Sequence, residues 1–346
     1  MGPAAVTPAA TIQRVEVERL SLPLHTPFVT ALRRATTVET VVVTVTDSDG
    51  RFGRGEAPQV WQVTGDSVAG SAACLEGPLR DAVLGSSTDP AETWPVMSRA
   101  VAGNAAAKAA LDSALHDLVG PPAVRLPTVV TLPVGEPHEV AEAARSRVRE
   151  GFGALKLKVG TDPDLDLARV RAAREGAPAA ALRLDANQGW DCHDAVRVIR
   201  TIEDAGLGVE LVEQPVPRRD VLGLAHVRKH VDTPLMADES VFDLDDLVEV
   251  VRHEAADLVN VKLAKAGGVT PALELARVAR LHGLGVCVGC MLESAVGVSA
   301  AAALADRVGC DVAPDLDGAW WLAPGAPYAD RVAYVDGQVL IGKMAL

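Results

Sequence analysis

Three short stretches decide the fold: LRLDANQ (182–188), VELVEQP (209–215) and PLMADES (234–240). Each is a β-like run closed by an acidic residue, and these residues, Asp185, Glu213 and Asp238, stand 28 and 25 residues apart. That interval is about one strand-loop-helix-loop unit of a (β/α)₈ barrel, in which side chains at the carboxyl ends of the strands meet at one rim. The spacing therefore predicts three carboxylates at the mouth of a parallel barrel.

Three carboxylates at one rim are a suitable donor set for a hard divalent cation. No His or Cys lies within these runs, and oxygen ligands alone suit Mg²⁺ better than zinc. A metal held in this way can stabilise an oxyanion formed on a bound carboxylate. Each acid taken singly is explained equally well as a solvated or helix-capping residue, so the prediction depends on the register of all three.

Lysines flank the acid series on both sides. Lys156 and Lys158 alternate in ALKLKVG (154–160) and so point to the same face, about 6.8 Å apart; Lys262 ends a later run, LVNVKL (258–263). Alternate lysines often mark the polar face of a strand, but a parallel barrel strand is covered on both faces, which places these at its open end. Lysines at opposite edges of a metal site predict two proton-transferring bases, one for each face of a substrate carbon.

The order of these motifs resembles the enolase superfamily, and within it the muconate-lactonising branch. The resemblance covers nearly the whole chain and rests on the KxK at 156–158, DAN at 185–187, EQP at 213–215, ADES at 237–240 and VKLAKAGG from Val261. It implies an α/β fold, a (β/α)₈-type (modified TIM) barrel with an α+β capping domain. It also implies abstraction of a proton α to a carboxylate, giving an enediolate bound to Mg²⁺.

The resemblance assigns a role to each of these residues. Lys158 and Lys262 match the two bases of the branch, and Lys156 matches the auxiliary lysine beside the first base. The metal ligands are matched by Asp185, Glu213 and Asp238.

The last expected strand bears on which reaction is catalysed, because the branch contains cycloisomerases, o-succinylbenzoate synthases, N-acylamino acid racemases and dipeptide epimerases. DVAPDLDGAW (311–320) supplies Asp315 and Asp317, which resemble the DxD with which dipeptide epimerases bind the α-ammonium group of the substrate. A muconate or a succinyl group offers no such cation. The alternative is a turn, since Pro314 precedes the pair and Gly318 follows it.

Other segments resemble parts of the dipeptide epimerase site. GCMLES (289–294) resembles the end of the seventh strand, so Ser294 is a candidate substrate contact, and Thr131 of the first strand is another. TPFVTALRRAT (26–36) and GRGEAP (53–58) resemble the two capping-domain loops over the barrel mouth. In Ala-Glu epimerases an arginine of the first loop meets the substrate glutamate, and Arg33 holds the matching position. A solvated basic turn, or a register that uses Arg34, remains open.

The sequence therefore predicts an isomerase, a Mg²⁺-dependent dipeptide epimerase that inverts the C-terminal residue by 1,1-proton transfer, with L-Ala-D/L-Glu as one candidate pair. The nearest alternatives are an N-acylamino acid racemase, an o-succinylbenzoate synthase or a muconate-type cycloisomerase on the same scaffold. The alternative from another class is a catalytically silent barrel that binds metal and carboxylate ligands.

Length and composition set the outer limits. The 346 residues accommodate a barrel of about 200 to 250 residues and a smaller domain, and a net charge of −13 argues against nucleic acid as a partner. Residues 1–20 lack the basic start and apolar core of a secretory signal, and no apolar stretch approaches the roughly 20 residues of a membrane span. A cytoplasmic protein is expected, and five cysteines suggest no disulfide framework. A homo-oligomer is compatible with the sequence but is specified by no residue.

The chain divides into three expected units. Residues 1–125 read as strands and Ala-rich helices of an α+β cap, residues 126–320 as the barrel, and residues 321–346 as a tail that returns to the cap as a strand pair. The eight expected barrel strands are VVTLPVG, ALKLKVG, ALRLDAN, VELVEQP, PLMADES, DLVNVKL, GVCVGCM and CDVAPDL.

Overall fold

A computed structural model describes residues 10–30, 33–120 and 122–342. Residues 1–9, on which the prediction of no secretory signal partly rests, lie outside these ranges. Within them, no helix combines the length and the apolar character that a bilayer crossing requires. All five cysteines are free thiols.

The N-terminal part is an antiparallel sheet covered by helices. Its strands are β1 (Ile12–Val29), β2 (Arg34–Asp47) and β3 (Phe52–Pro58), paired in that order. Its helices are α1 (Val68–Glu76), α2 (Pro78–Val83), α3 (Pro90–Ala100) and α4 (Ala105–Asp117). A Cβ atom at Gly53 or Gly55 would overlap the carbonyl oxygens of Ala114 or Ala110. Glycines in GRGEAP therefore let β3 lie directly against α4.

Seven parallel strands follow in sequential order. After β4 (Val124–Pro127) they are β5 (Val129–Leu132), β6 (Ala154–Lys158), β7 (Ala181–Asp185), β8 (Val209–Glu213), β9 (Leu235–Ala237), β10 (Leu258–Lys262) and β11 (Gly285–Gly289). The helices between and after them are α5 (Pro137–Arg149), α6 (Pro163–Gly176), α7 (Cys192–Asp204), α8 (Val221–His230), α9 (Leu244–Arg252), α10 (Leu263–Ala266), α11 (Val269–Leu281) and α12 (Ala295–Val308). Every residue of β5 and β6 is buried, as expected for strands covered on both faces. The predicted α/β barrel fold is confirmed.

The eighth barrel strand does not form as predicted. CDVAPDL does not form a regular strand; Asp315 makes a single parallel bridge with Gly289. Asp315 N donates to Val288 O at 2.9 Å, and Val129 N donates to Pro314 O at 3.1 Å, so the segment still joins β11 to β5. Pro314 has no N–H and a fixed φ, which prevents a continuous ladder here.

The C-terminal segment forms the expected strand pair. Its strands, β12 (Val332–Val335) and β13 (Gln338–Ile341), make an antiparallel sheet with β4. The same segment also contacts the N-terminal sheet, because Ala323 N donates to Pro23 O at 2.9 Å. The unit boundaries at residues 125 and 320 stay predictions.

Two carboxylates of the N-terminal part bind the starts of barrel helices. Asp112 of α4 accepts hydrogen bonds from Thr270 N and Thr270 Oγ1, both at 2.8 Å, at the start of α11. Glu56 of β3 accepts from Ser294 N at 2.8 Å and Gly297 N at 2.9 Å, at the start of α12. Helix N-termini offer unpaired N–H groups and partial positive charge. These contacts fix the cap to the barrel on the side of β10 and β11.

Candidate active site

The carboxyl ends of the barrel strands gather eight charged side chains that the sequence singled out. All are buried: Lys156, Lys158, Asp185, Glu213, Asp238, Lys262, Asp315 and Asp317. Strand register explains part of this arrangement, because Lys158 pairs with Asp185 across β6 and β7, and Asp185 pairs with Glu213 across β7 and β8. Side chains at these paired positions point into the same rim.

Lys156 lies at the centre of the acidic group. Its Nζ is 2.8 Å from Asp185 Oδ2, 2.6 Å from Glu213 Oε2 and 2.7 Å from Asp315 Oδ2. Burial opposes the charged form, but these three carboxylates hold the pKa of Lys156 well above its usual range. Lys156 is therefore an ammonium group that links the expected metal ligands to the DxD segment.

Lys158 and Lys262 approach the acids from opposite edges, since β7, β8 and β9 lie between their strands. Lys158 Nζ is 2.6 Å from Asp185 Oδ2 and lies 5.8 Å from the centre of the Phe28 ring. Lys262 Nζ is 2.7 Å from Asp238 Oδ2. Burial disfavours the charge of Lys262, but Asp238 and Glu213 raise its pKa above the usual range.

The lysine ammonium groups do not neutralise all of the negative charge of the buried acids. Burial, and then the charge of Asp185, raise the pKa of Glu213 to about 7; burial, and then Asp238, raise the pKa of Glu239 to about 8. Glu239 Oε2 is buried and has no hydrogen bond from any described residue, and Glu213 Oε2 contacts Lys156 Nζ only as an ion pair outside hydrogen-bond geometry. Buried carboxylate oxygens with uncompensated charge fit a hard divalent cation.

The carboxylates do not already form a metal shell. Nowhere in the described ranges do three His, Cys, Asp or Glu side chains converge in that way. Lysine ammonium groups stand between them instead: Lys156 contacts Asp185 and Glu213, while Lys262 and Lys265 contact Asp238. A cation bound to these same oxygens would replace the lysine contacts.

The DxD segment lies beside this cluster. Asp317 Oδ2 accepts hydrogen bonds from Thr131 N at 2.7 Å and from Trp321 Nε1 at 3.1 Å. Asp315 Oδ1 is buried and has no hydrogen-bond partner among the described residues. Despite burial, Lys156 keeps the pKa of Asp315 below its usual value. Asp315 therefore retains an ionised oxygen that a cationic ligand can meet.

A cavity of about 630 Å³, including its open mouth, lies above the charged groups. Phe28, Thr131, Met291 and Leu292 contribute to its walls, together with Arg33. Arg33 is half-buried, and burial lowers its pKa. Of the two adjacent arginines, Arg33 lines the cavity, whereas Arg34 is exposed and does not.

Ser294, predicted as a substrate contact, does not line the cavity among the described residues, and that contact stays a prediction. Its Oγ hydrogen-bonds to Glu56 and accepts from Val296 N at 3.1 Å, so the side chain caps α12. A serine directly before a helix favours this capping geometry, and the contribution of GCMLES to the cavity comes from Cys290, Met291 and Leu292.

Four buried polar residues of the rim were not predicted. Lys265 Nζ contacts Asp238 Oδ1 at 2.7 Å, and Asn260 Nδ2 donates to Glu213 Oε1 at 2.9 Å. The other two are Asn187 and Glu239, whose side chains hydrogen-bond to each other at 3.2 Å. All four lie in motifs quoted above (DAN, ADES, LVNVKL and VKLAKAGG). Asn187 and Glu239 lie within two residues of a predicted metal ligand, and Asn260 alternates with Lys262 along β10, so the sequence carried a signal for these three.

Comparisons with known proteins agree with this geometry. Residues 12–127 match the family model "Mandelate racemase / muconate lactonizing enzyme, N-terminal domain", and residues 139–342 match "Enolase C-terminal domain-like". The chain is 42% identical over 306 residues to the L-Ala-D/L-Glu epimerase of Bacillus subtilis (strain 168), covering 84% of each protein. It is 37% identical over 327 residues to the hydrophobic dipeptide epimerase of Enterococcus faecalis, covering 90% of this chain and 91% of that one.

A solved structure of a dipeptide epimerase from Enterococcus faecalis V583, complexed with Mg and the dipeptide L-Leu-L-Tyr, superposes with a TM-score of 0.89. The two chains are 34% identical, and the match covers 97% of this chain and 98% of the other. Both family models, these identities and the rim of lysines and carboxylates lead to one assignment. The chain belongs to the mandelate racemase and muconate lactonizing enzyme family of the enolase superfamily, and it is an isomerase.

Proposed function

We propose that this protein is a Mg²⁺-dependent dipeptide epimerase that inverts the α-carbon of the C-terminal residue. The observation that carries the proposal is the position of Lys158 and Lys262 at opposite edges of one carboxylate cluster, with Asp315 and Asp317 beside it. Relatives with 37–42% identity act on dipeptides. A silent ligand-binding barrel gives no reason for lysines on both sides.

Two lysines perform the proton transfer. One of them, as a neutral amine, takes the α-proton from one face, and the C–H electron pair passes into the substrate carboxylate to give an enediolate. The other, as an ammonium, returns a proton to the opposite face of the same carbon. Lys262, which its carboxylate neighbours keep protonated, is suited to the acid role before turnover. The reverse reaction exchanges the two roles.

Asp185, Glu213 and Asp238 would hold the metal. When bound, Mg²⁺ supplies the positive charge that stabilises negative charge developing on the substrate carboxylate. Lys156 remains protonated beside these acids and opposes excess negative charge at the rim.

Asp315 and Asp317 would bind the N-terminal ammonium of the dipeptide. Thr131 N and Trp321 Nε1 hold Asp317 in place, and the unpartnered Oδ1 of Asp315 offers an acceptor. A charge-assisted hydrogen bond of this kind favours a dipeptide over an N-acylated amino acid, which has no such cation.

Arg33 would select the side chain of the inverted residue. It lines the cavity and forms no salt bridge with any described carboxylate, so a substrate carboxylate can pair with it in two-pronged fashion. We therefore favour L-Ala-L-Glu-like substrates, and we place the enzyme in the cytoplasm.

The test is incubation with Mg²⁺ in D₂O of L,L-dipeptides that have acidic, basic or apolar C-terminal residues, with α-deuterium followed by mass spectrometry. N-succinyl amino acids serve as the comparison set. Exchange on Ala-Glu-like members supports the whole proposal. Exchange only on other dipeptides would support the proton-transfer reaction but would show that Arg33 does not select the substrate side chain. Exchange only on N-succinyl amino acids would overturn the assignment of dipeptides as substrates.

A further inference from the structure

A second cleft lies away from the barrel rim, where α4, α12 and the C-terminal segment meet. It contains about 650 Å³ of space, including its open mouth, and shares no lining residue with the rim cavity. One wall is the apolar face of α12, with Val296, Ala300, Ala303 and Leu304, and Val269 of α11 extends it. This wall offers an apolar ligand a surface from which water is easily displaced.

Three arginines from different parts of the chain line the cleft. They are Arg54 of β3, Arg307 near the end of α12, and Arg331 before β12. Asp117 is the one carboxylate among the described lining residues; it pairs with Arg331 at 2.5 Å and accepts from Arg54 N at 2.8 Å. Three guanidinium groups therefore face one carboxylate, in a chain whose net charge is −13.

Part of this positive charge is not offset by a carboxylate. Within the ranges that the structure describes, neither Arg54 nor Arg307 forms a salt bridge, and the Nε atoms of Arg54 and Arg331 are buried without a hydrogen bond. The guanidinium group of Arg54 lies 4.7 Å from the ring centre of Phe52 and 5.2 Å from that of Tyr328, and these ring contacts do not neutralise its charge. A buried donor left unpaired is destabilising, and a ligand oxygen that accepts its hydrogen bond removes that cost. His116 adds no charge near neutral pH, because burial and then Arg307 lower its pKa to about 4.

We propose that this cleft binds a small amphipathic monocarboxylate. Its carboxylate pairs with Arg54 and Arg307, whose planar guanidinium groups match carboxylate geometry. Its apolar chain lies on the wall of α12. Asp117 excludes a second negative charge beside Arg331, which favours one carboxylate over a dicarboxylate.

Calorimetric titration of the full-length, Mg²⁺-saturated protein tests this inference. The probes are acetate, hexanoate, octanoate, inorganic phosphate and octylamine. Octanoate is expected to bind best, with affinity rising about two- to fourfold per methylene. Equal binding of acetate and octanoate, or binding of octylamine as tight as that of octanoate, would overturn the proposal.

Variants locate the site. R54Q/R307Q is expected to weaken octanoate binding at least about tenfold, whereas R149Q, which removes an exposed charge on α5, should bind like the wild type. R307Q alone alters an exposed side chain and gives an intermediate loss, so the test survives if the double variant fails to fold. Undiminished binding by R307Q and R54Q/R307Q contradicts the proposal.

Competition separates this cleft from the rim. Ala-Glu in excess should not displace octanoate, and R307Q should retain dipeptide exchange in D₂O. Displacement by the dipeptide would place the octanoate at the rim and overturn the inference. Because binding is measured without turnover, failure of the epimerase assignment leaves this result interpretable.

Discussion

At the residue scale, the two lysines allow a prediction about the separate faces of the substrate. K158A and K262A should each lower inversion by about 10²- to 10⁴-fold, because each removes one proton carrier. The remaining lysine still takes and returns a proton on its own face. Each variant should therefore exchange α-hydrogen for deuterium in one epimer only, and the two variants should select opposite epimers. Mass spectrometry of separated L,L- and L,D-dipeptides checks this, and exchange of the same epimer by both variants contradicts opposite faces.

Arg33 supplies a second prediction, with its neighbour as a matched control. R33M should lower kcat/KM for an Ala-Glu dipeptide by about 10²-fold or more, because the substrate carboxylate loses its charged partner. Ala-Leu should be affected far less. R34M, which removes an exposed charge one position along, should leave both substrates unchanged. Equal losses for R33M and R34M on Ala-Glu would mean that overall charge, and not a specific contact, attracts the substrate.

The placement of the acids and lysines at strand ends is the part of the site that the sequence predicts best, because sequence motifs and strand periodicity are local features of the chain. DAN, EQP and ADES place each acid at a strand end, and the barrel then brings those ends together. The orientation of Ser294 was not predictable in this way, since it depends on Glu56, which is 238 residues distant. The contacts of Lys156 with three carboxylates likewise arise only when four separate segments meet.

At the scale of elements, the junction of α4 with α11 predicts a pH effect on stability. Burial raises the pKa of Asp112 to about 6, although hydrogen bonds from Thr270 oppose the shift. The folded state therefore binds the Asp112 proton more readily than the unfolded state, whose pKa is about 3.9. Ionisation of Asp112 removes stability as pH rises from about 4 to about 6.

D112N removes this titration and keeps a side chain that can cap α11. The free energy of unfolding of D112N minus that of the wild type should rise by up to about 3 kcal/mol as the pH increases from about 4 to about 6. Above about pH 7 this difference should stay constant. Urea unfolding at pH 4, 5, 6, 7 and 8 measures the difference. His116 lies 3.9 Å from Asp112 and is present in both proteins. The control therefore compares the unfolding free energies of H116Q/D112N and H116Q over the same pH range. A difference that does not change with pH would mean that Asp112 ionises normally.

Seven of the eight expected barrel strands form, and the exception has a local cause. Apolar runs such as GVCVG specify strands buried on both faces. CDVAPDL has the composition of such a run, but Pro314 removes a ladder donor at its centre. The expected strand pair of the C-terminal segment forms because Asp336 and Gly337, both with positive φ, provide a tight turn.

At the scale of the whole molecule, the buried acids predict that Mg²⁺ stabilises the folded state. A ligand that binds only the folded protein adds RT ln(1 + [L]/Kd), about 2.7 kcal/mol at one hundred times Kd. Mg²⁺ should therefore raise the melting temperature of the wild type, and chelation should reverse the gain without unfolding the protein. D185N/D238N should lose the effect. An equal gain in that variant would place the responsible cation elsewhere.

The irregular closure of the barrel has a consequence for how new specificities arise. The segment around Asp315 contributes one bridge to the sheet, whereas the other seven strands form a continuous ladder. Substitutions of side chains in this segment can therefore alter ligand preference while the seven-stranded sheet remains intact. Evolution and laboratory selection would therefore reach new specificities by substitution at this seam and not by insertion, because residues 314–318 are buried and their backbone is hydrogen-bonded to β11 and β5.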